Sequence, residues 1–193
     1  MVAARNKDVK FIVLMSGTGV PGYEVILEQA KQIELGMGVP KEKAEAEEAQ
    51  HRAIYELILK NKALSEAELK TLLKEKMAKD GVPDAEATAL IDQVTGPWFR
   101  YFLEYDPRPA LRQLRIPVLA LIGSKDLQVL PEQNLPALRE ALKGDQKAEV
   151  VELPGLNHLY QTTKTGLPKE YQQLDETIAP LALKTIGDWV LKQ

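Results

Sequence analysis

The run Ile116–Gln133, I-P-V-L-A-L-I-G-S-K-D-L-Q-V-L-P-E-Q, constrains this chain more than any other stretch. It opens as unbroken apolar sequence bounded by Pro117 and Gly123 and ends in Ser124, Lys125 and Asp126. An apolar run of that length between turn residues predicts a strand buried on both faces, as in a parallel sheet covered by helices. A carboxylate just past the end of such a strand lies where open α/β sheets place ligands and chemistry. Downstream, A-E-V-V-E-L predicts the next strand, Ala148–Leu153, and P-G-L-N-H puts His158 on the loop that follows it. Asp126 and His158 therefore read as two members of a catalytic triad. A histidine whose Nδ1–H is held by a buried carboxylate is oriented to take a proton from a nucleophile.

The rest of the chain is consistent with one such sheet. Phe11–Met15, F-I-V-L-M, predicts a further buried strand, followed by a turn with Gly17, Gly19 and Gly22. Those glycines could cradle an anion, but they lack the spacing of a P-loop or a dinucleotide fingerprint, so a strand-to-helix turn is the reading. From Tyr23 to about Thr95 the pattern is helical. Tyr23, Ile26, Leu27, Ala30 and Ile33 recur at helical spacing, and Lys41–Lys60 follows with dense Glu and Lys on a solvated face. Ser65 with Glu68 has capping-box spacing for a third helix, and Asp84 is placed as the N-cap of a fourth, closed by Gly96. His51 lies within the second helix as an exposed residue. This region, 23–96, is expected to be a helical insertion between two strands of a single domain spanning 1–193, in the role of a lid or cap.

Pro97–Tyr105, P-W-F-R-Y-F-L-E-Y, gathers Trp98, Phe99, Tyr101, Phe102 and Tyr105. A helix would set Trp98, Tyr101, Phe102 and Tyr105 along one stripe covering an apolar surface. Trp98, Phe99 and Phe102 are the candidate substrate-binding residues. A short helix at Pro109–Leu114 leads into the organising strand, a helix at Leu135–Leu142 returns the chain to the next one, and Asp175 is expected to cap the last helix. The expected fold class is thus α/β, with about three parallel strands, covering helices and the helical insertion.

Composition narrows the functions. The 193 residues suffice for one domain with a core, and 45% hydrophobic content is ordinary for a folded chain. A net charge of -3 without a basic block argues against nucleic acid as a partner. No apolar run reaches the roughly 20 residues that span a bilayer, and no secretory signal is visible, so a cytoplasmic location is the expectation. Cysteine is absent, and the two histidines, His51 and His158, show no metal-binding spacing, so no metal and no cofactor are expected.

Four pieces resemble a known family. P-V-L-A-L-I-G-S-K-D-L-Q-V, L-P-G-L-N-H-L-Y-Q, F-I-V-L-M-S-G-T-G-V-P-G and P-W-F-R-Y-F-L-E-Y-D-P are similar to the C-terminal half of bacterial α/β-hydrolase-fold serine esterases. The resemblance implies a partial α/β-hydrolase fold, Asp126 as triad acid, His158 as triad base, and the insertion as a cap that shapes the acyl pocket. The order Asp then His fits the Ser…Asp…His order of that fold. The chain departs from the family where the nucleophile should be: no G-x-S-x-G elbow occurs, and no oxyanion-hole loop precedes it. Met1–Arg5 resembles the end of the helix that follows the elbow, so the first half of the family's sheet is missing. Ser16 is the candidate nucleophile by position, with Ser124 behind it, and neither is expected on a strained elbow. The expectation is therefore little or no esterase activity, the alternatives being a non-catalytic oligomeric scaffold or a module binding a small apolar ligand. An unpaired apolar strand at Phe11–Met15 is an aggregation hazard, and pairing two copies antiparallel into a homodimer removes it.

Overall fold

The computed structural model describes residues 2–193. Three strands, β1 (Ile12–Met15), β2 (Val118–Gly123) and β3 (Ala148–Leu153), form one parallel sheet in the order β1-β2-β3. Ile12 pairs with Val118, and Val118 with Ala148. Parallel neighbours need long crossovers. The first contains the helices α1 (Gly22–Gly36), α2 (Lys41–Lys60), α3 (Glu66–Lys79), α4 (Asp84–Thr95), α5 (Pro97–Glu104) and α6 (Arg108–Leu111). The second is α7 (Pro131–Leu142), and α8 (Pro180–Val190) follows β3. The α/β class, the three parallel strands and the covering helices are as expected from the sequence.

β2 is the axis of the core, buried at every position. Successive side chains on a strand point to opposite faces. Val118, Ala120 and Ile122 pack with Leu135, Leu138 and Ala141 of α7. Leu119 and Leu121 pack on the other face with Ala182 and Trp189 of α8. The result is a helix–sheet–helix sandwich built on one continuous apolar run. The insertion has a core of its own, centred on Leu27, Leu69, Leu73, Val94 and Leu103.

The capping box at α3 is complete: the Glu68 amide donates to Ser65 Oγ, and the Ser65 amide donates to Glu68 Oε2. Three local expectations change. Asp84 is the first residue of α4 and not its cap, because Pro83 takes the capping position; Asp84 instead pairs with Lys74 at 2.9 Å. Asp175 does not cap α8. Pro180 stands at the first helical position and keeps the residue before it extended, so the helix starts there, with Ala179 as its N-cap. α7 starts at Pro131, ahead of Leu135, for the same reason. The aromatic stripe of α5 is covered only in part: Trp98 and Tyr101 are exposed, Phe102 and Tyr105 are half-buried, and the fully buried residue is Leu103. Among the described residues no helix is long and apolar enough to cross a membrane.

Candidate functional site

The site forms where the loops after all three strands meet. Gly123 ends β2, and a Cβ there would lie 2.2 Å from the Leu156 carbonyl oxygen, so only glycine lets the two loops touch. The Lys125 amide then donates to Leu156 O at 2.9 Å, and Lys125 Nζ donates to the carbonyls of Thr163 and Lys164. Ser124 Oγ accepts from the Gly155 amide at 2.8 Å. Ser124 thereby joins the loop after β2 to the loop after β3.

Asp126 is 1% exposed. Its Oδ1 accepts from the amides of Gln128 and Val129 at 2.9 and 2.8 Å, and its Oδ2 from Ser16 Oγ at 2.8 Å. His158 Nδ1 lies 3.1 Å from Oδ1 and 3.0 Å from Oδ2. Every partner donates, as a carboxylate requires, and that demand places the imidazole proton on Nδ1. Nε2 is then the acceptor nitrogen, and it makes no hydrogen bond among the described residues. The pair has the orientation of a general base held by its acid.

His158 is at the tip of a tight loop, which Leu156 and Thr162 close through a β-bridge. Asn157, fully buried, holds the loop from inside: its Oδ1 accepts from the amides of Leu159 and Gln161, and its Nδ2 donates to Gln161 Oε1. Tyr160 anchors it to the sheet. Its hydroxyl donates to Leu121 O at 2.7 Å and accepts from the Ser16 amide at 2.6 Å. Burial pushes the Tyr160 phenol up to about 12, against the hydrogen bonds from Ser16 that pull it down.

Ser16 occupies the strand-to-helix turn after β1 with φ of 49°, a left-handed conformation that costs a serine energy. Its backbone is therefore strained, contrary to expectation. The hydroxyl does not take a nucleophile's place, however. It is buried and donates to Asp126, and among the described residues no hydrogen bond joins it to His158. Asn134 Oδ1, fully buried in α7, accepts from the Gly19 amide at 2.9 Å, so the glycine turn is fastened to a helix at that amide.

The structure brings Asp126, His158 and Ser16 together. Trp98, Phe99 and Phe102 have one another and Tyr55 as ring partners: Trp98 stacks on Phe102 at 5.5 Å, and Phe99 lies 5.8 Å from Tyr55. Phe102 packs on the sheet core and Phe99 on the core of the insertion. Sequence reasoning passed over Asn157, Tyr160, Gln128 and Tyr171. The first two stand beside His158 in a run of otherwise apolar residues, a signal that could have been read. Among the described residues no group of His, Asp and Glu side chains is assembled that could hold a metal ion. No family model, curated protein or solved structure matches the chain.

Proposed function

We propose that this chain carries the acid and base of a serine-type carboxylic-ester hydrolase, with the nucleophile supplied from outside it. Asp126 is the orienting acid and His158 the base. The observation that supports this is the hold of both Asp126 oxygens on His158 Nδ1 with Nε2 left without a partner. Such a base takes the proton of an attacking hydroxyl and returns it to the leaving group. The substrate class is a small ester, the helical insertion serves as the cap over its acyl group, and the chemistry needs no cofactor. The partner is a second copy of the chain, joined through β1.

A second reading follows from Ser16, whose hydroxyl is spent on Asp126. With no nucleophile on Nε2, the isolated chain keeps the scaffold of the fold and turns esters over weakly or not at all. Losing the nucleophile of a triad costs roughly six orders of magnitude in turnover. A fluorophosphonate probe should leave the isolated chain unlabelled, and p-nitrophenyl acetate should be hydrolysed no faster than in buffer. Turnover that survives Ser16→Ala but disappears in His158→Ala would overturn the external nucleophile and assign His158 to direct activation of water.

A further inference from the structure

A short 3-10 turn, Pro168–Gln173, carries Tyr171 to the edge of the site. The Tyr171 hydroxyl accepts from Gln128 Nε2 at 3.1 Å. The nearby His158 backbone amide lowers the Tyr171 phenol, and the negative charge of Asp126 raises it. Gln128 is also the residue whose amide donates to Asp126. Tyr171 is therefore linked to Asp126 through Gln128 and lies near the backbone of His158.

The proton inventory marks this hydroxyl as an available donor, a standing it shares, among the described residues of the site, with Ser124 Oγ. A phenol offers one O–H and accepts on its oxygen. Here the oxygen accepts from Gln128 Nε2, and among the described residues the O–H proton has no acceptor. The other neighbouring donors are engaged: Lys125 Nζ on two carbonyls, Gln128 Nε2 on Tyr171, Asn157 Nδ2 on Gln161, Ser16 Oγ on Asp126 and the Tyr160 hydroxyl on Leu121 O. Burial pushes the Tyr171 phenol up, outweighing the Gln128 hydrogen bond that lowers it, so the hydroxyl keeps its proton at near-neutral pH.

We infer that Tyr171 is the hydrogen-bond donor of this site, and that its O–H binds the carbonyl oxygen of an acyl group presented to His158 Nε2. The inference rests on the reading of His158 as the base. A donor there stabilises the oxyanion that develops when the carbonyl carbon is attacked, which is the element the chain otherwise lacks.

Diethyl pyrocarbonate tests this on the intact chain without any added nucleophile. Nε2 attacks its carbonyl carbon, ethyl carbonate departs, and the Nδ1 proton is released, so the reaction passes through such an oxyanion. Labelling of His158 is followed by peptide mass spectrometry at near-neutral pH, with His51 as the internal reference. Tyr171→Phe should slow His158 labelling by about five-fold, the net worth of one neutral hydrogen bond, and leave His51 unchanged. Equal His158 rates in the two proteins overturn the inference. So does a slowing accompanied by faster amide exchange across 155–163, which would make Tyr171 a structural prop of the loop. Asp126→Asn reports separately on the base: an unchanged His158 rate there removes the acid–base reading while leaving the Tyr171 comparison to be judged alone. No labelling of His158 in the unaltered protein overturns both.

Discussion

At the scale of the residue, the site depends on side chains that spend their hydrogen bonds on neighbouring loops. Tyr160 is the clearest case, since one hydroxyl joins the His158 loop to β1 through the Ser16 amide and to β2 through Leu121 O. Its phenol is raised from 10.0 to about 12, chiefly by burial. A raised acid favours its neutral form in the fold. The stability it contributes is therefore complete below the unfolded value of 10.0 and is lost as pH rises through about 12. The loss is at most on the order of 3 kcal/mol for a largely buried group. Denaturant unfolding should show stability falling through this window in the unaltered protein and falling less steeply in Tyr160→Phe. Parallel pH curves would contradict the role. Little of this was legible from residue types. Asp126 and His158 were, because each lies on the loop that follows a strand legible from its residues. Tyr171 was not, since it lies in a polar stretch without periodicity, and only the folding of the 3-10 turn brings it to Gln128. The direction of the Ser16 hydroxyl was equally hidden, because it follows from the backbone φ and not from the residue type.

At the scale of the element, the two edges of the sheet differ in chemistry. β3 carries Glu149 and Glu152, both exposed, and charge of that kind keeps an edge from pairing. β1 is I-V-L-M, without charge or proline, and among the described residues it pairs on one side only. It is only half-buried, Met15 is exposed, and beside it lies a cavity of about 200 Å³ lined by Ile12, Leu14, Tyr105 and Leu111. β1 has the composition of an interior strand in an edge position. This is the physical ground for the proposed pairing of two copies through β1, antiparallel across a two-fold axis. Light scattering coupled to size exclusion should give twice the chain mass at micromolar concentration, and Leu14→Lys should return it to a monomer. A soluble, stable monomer of the unaltered chain contradicts the pairing. The strands were legible because an apolar run between turn residues has few alternatives, and β3 falls on its expected residues. Helix starts were less so, because Pro83, Pro131 and Pro180 set them, ahead of the polar or periodic residues that seemed to mark them.

At the scale of the whole molecule, the sheet brings together loops distant in sequence. Ser16 follows β1, Asp126 follows β2 and His158 follows β3, and parallel pairing sets all three strand ends on one side. The helical insertion folds around a separate core and leaves that register undisturbed. The sequence indicated both the insertion and the sheet, because periodicity changes from strand to helix at Gly22 and back before Val118. It could not indicate how the three loops interlock, because that depends on contacts such as the one Gly123 permits with Leu156. Together these loops hold a proton on His158 Nδ1 and leave Nε2 as the acceptor. Nitrogen-15 NMR of the histidine side chains measures this directly, with His158→Ala assigning the signals. The expected spectrum shows His158 in the Nδ1–H form, with a downfield proton shared with Asp126 that is lost in Asp126→Asn. A His158 found in the Nε2–H form, unchanged by Asp126→Asn, would contradict it.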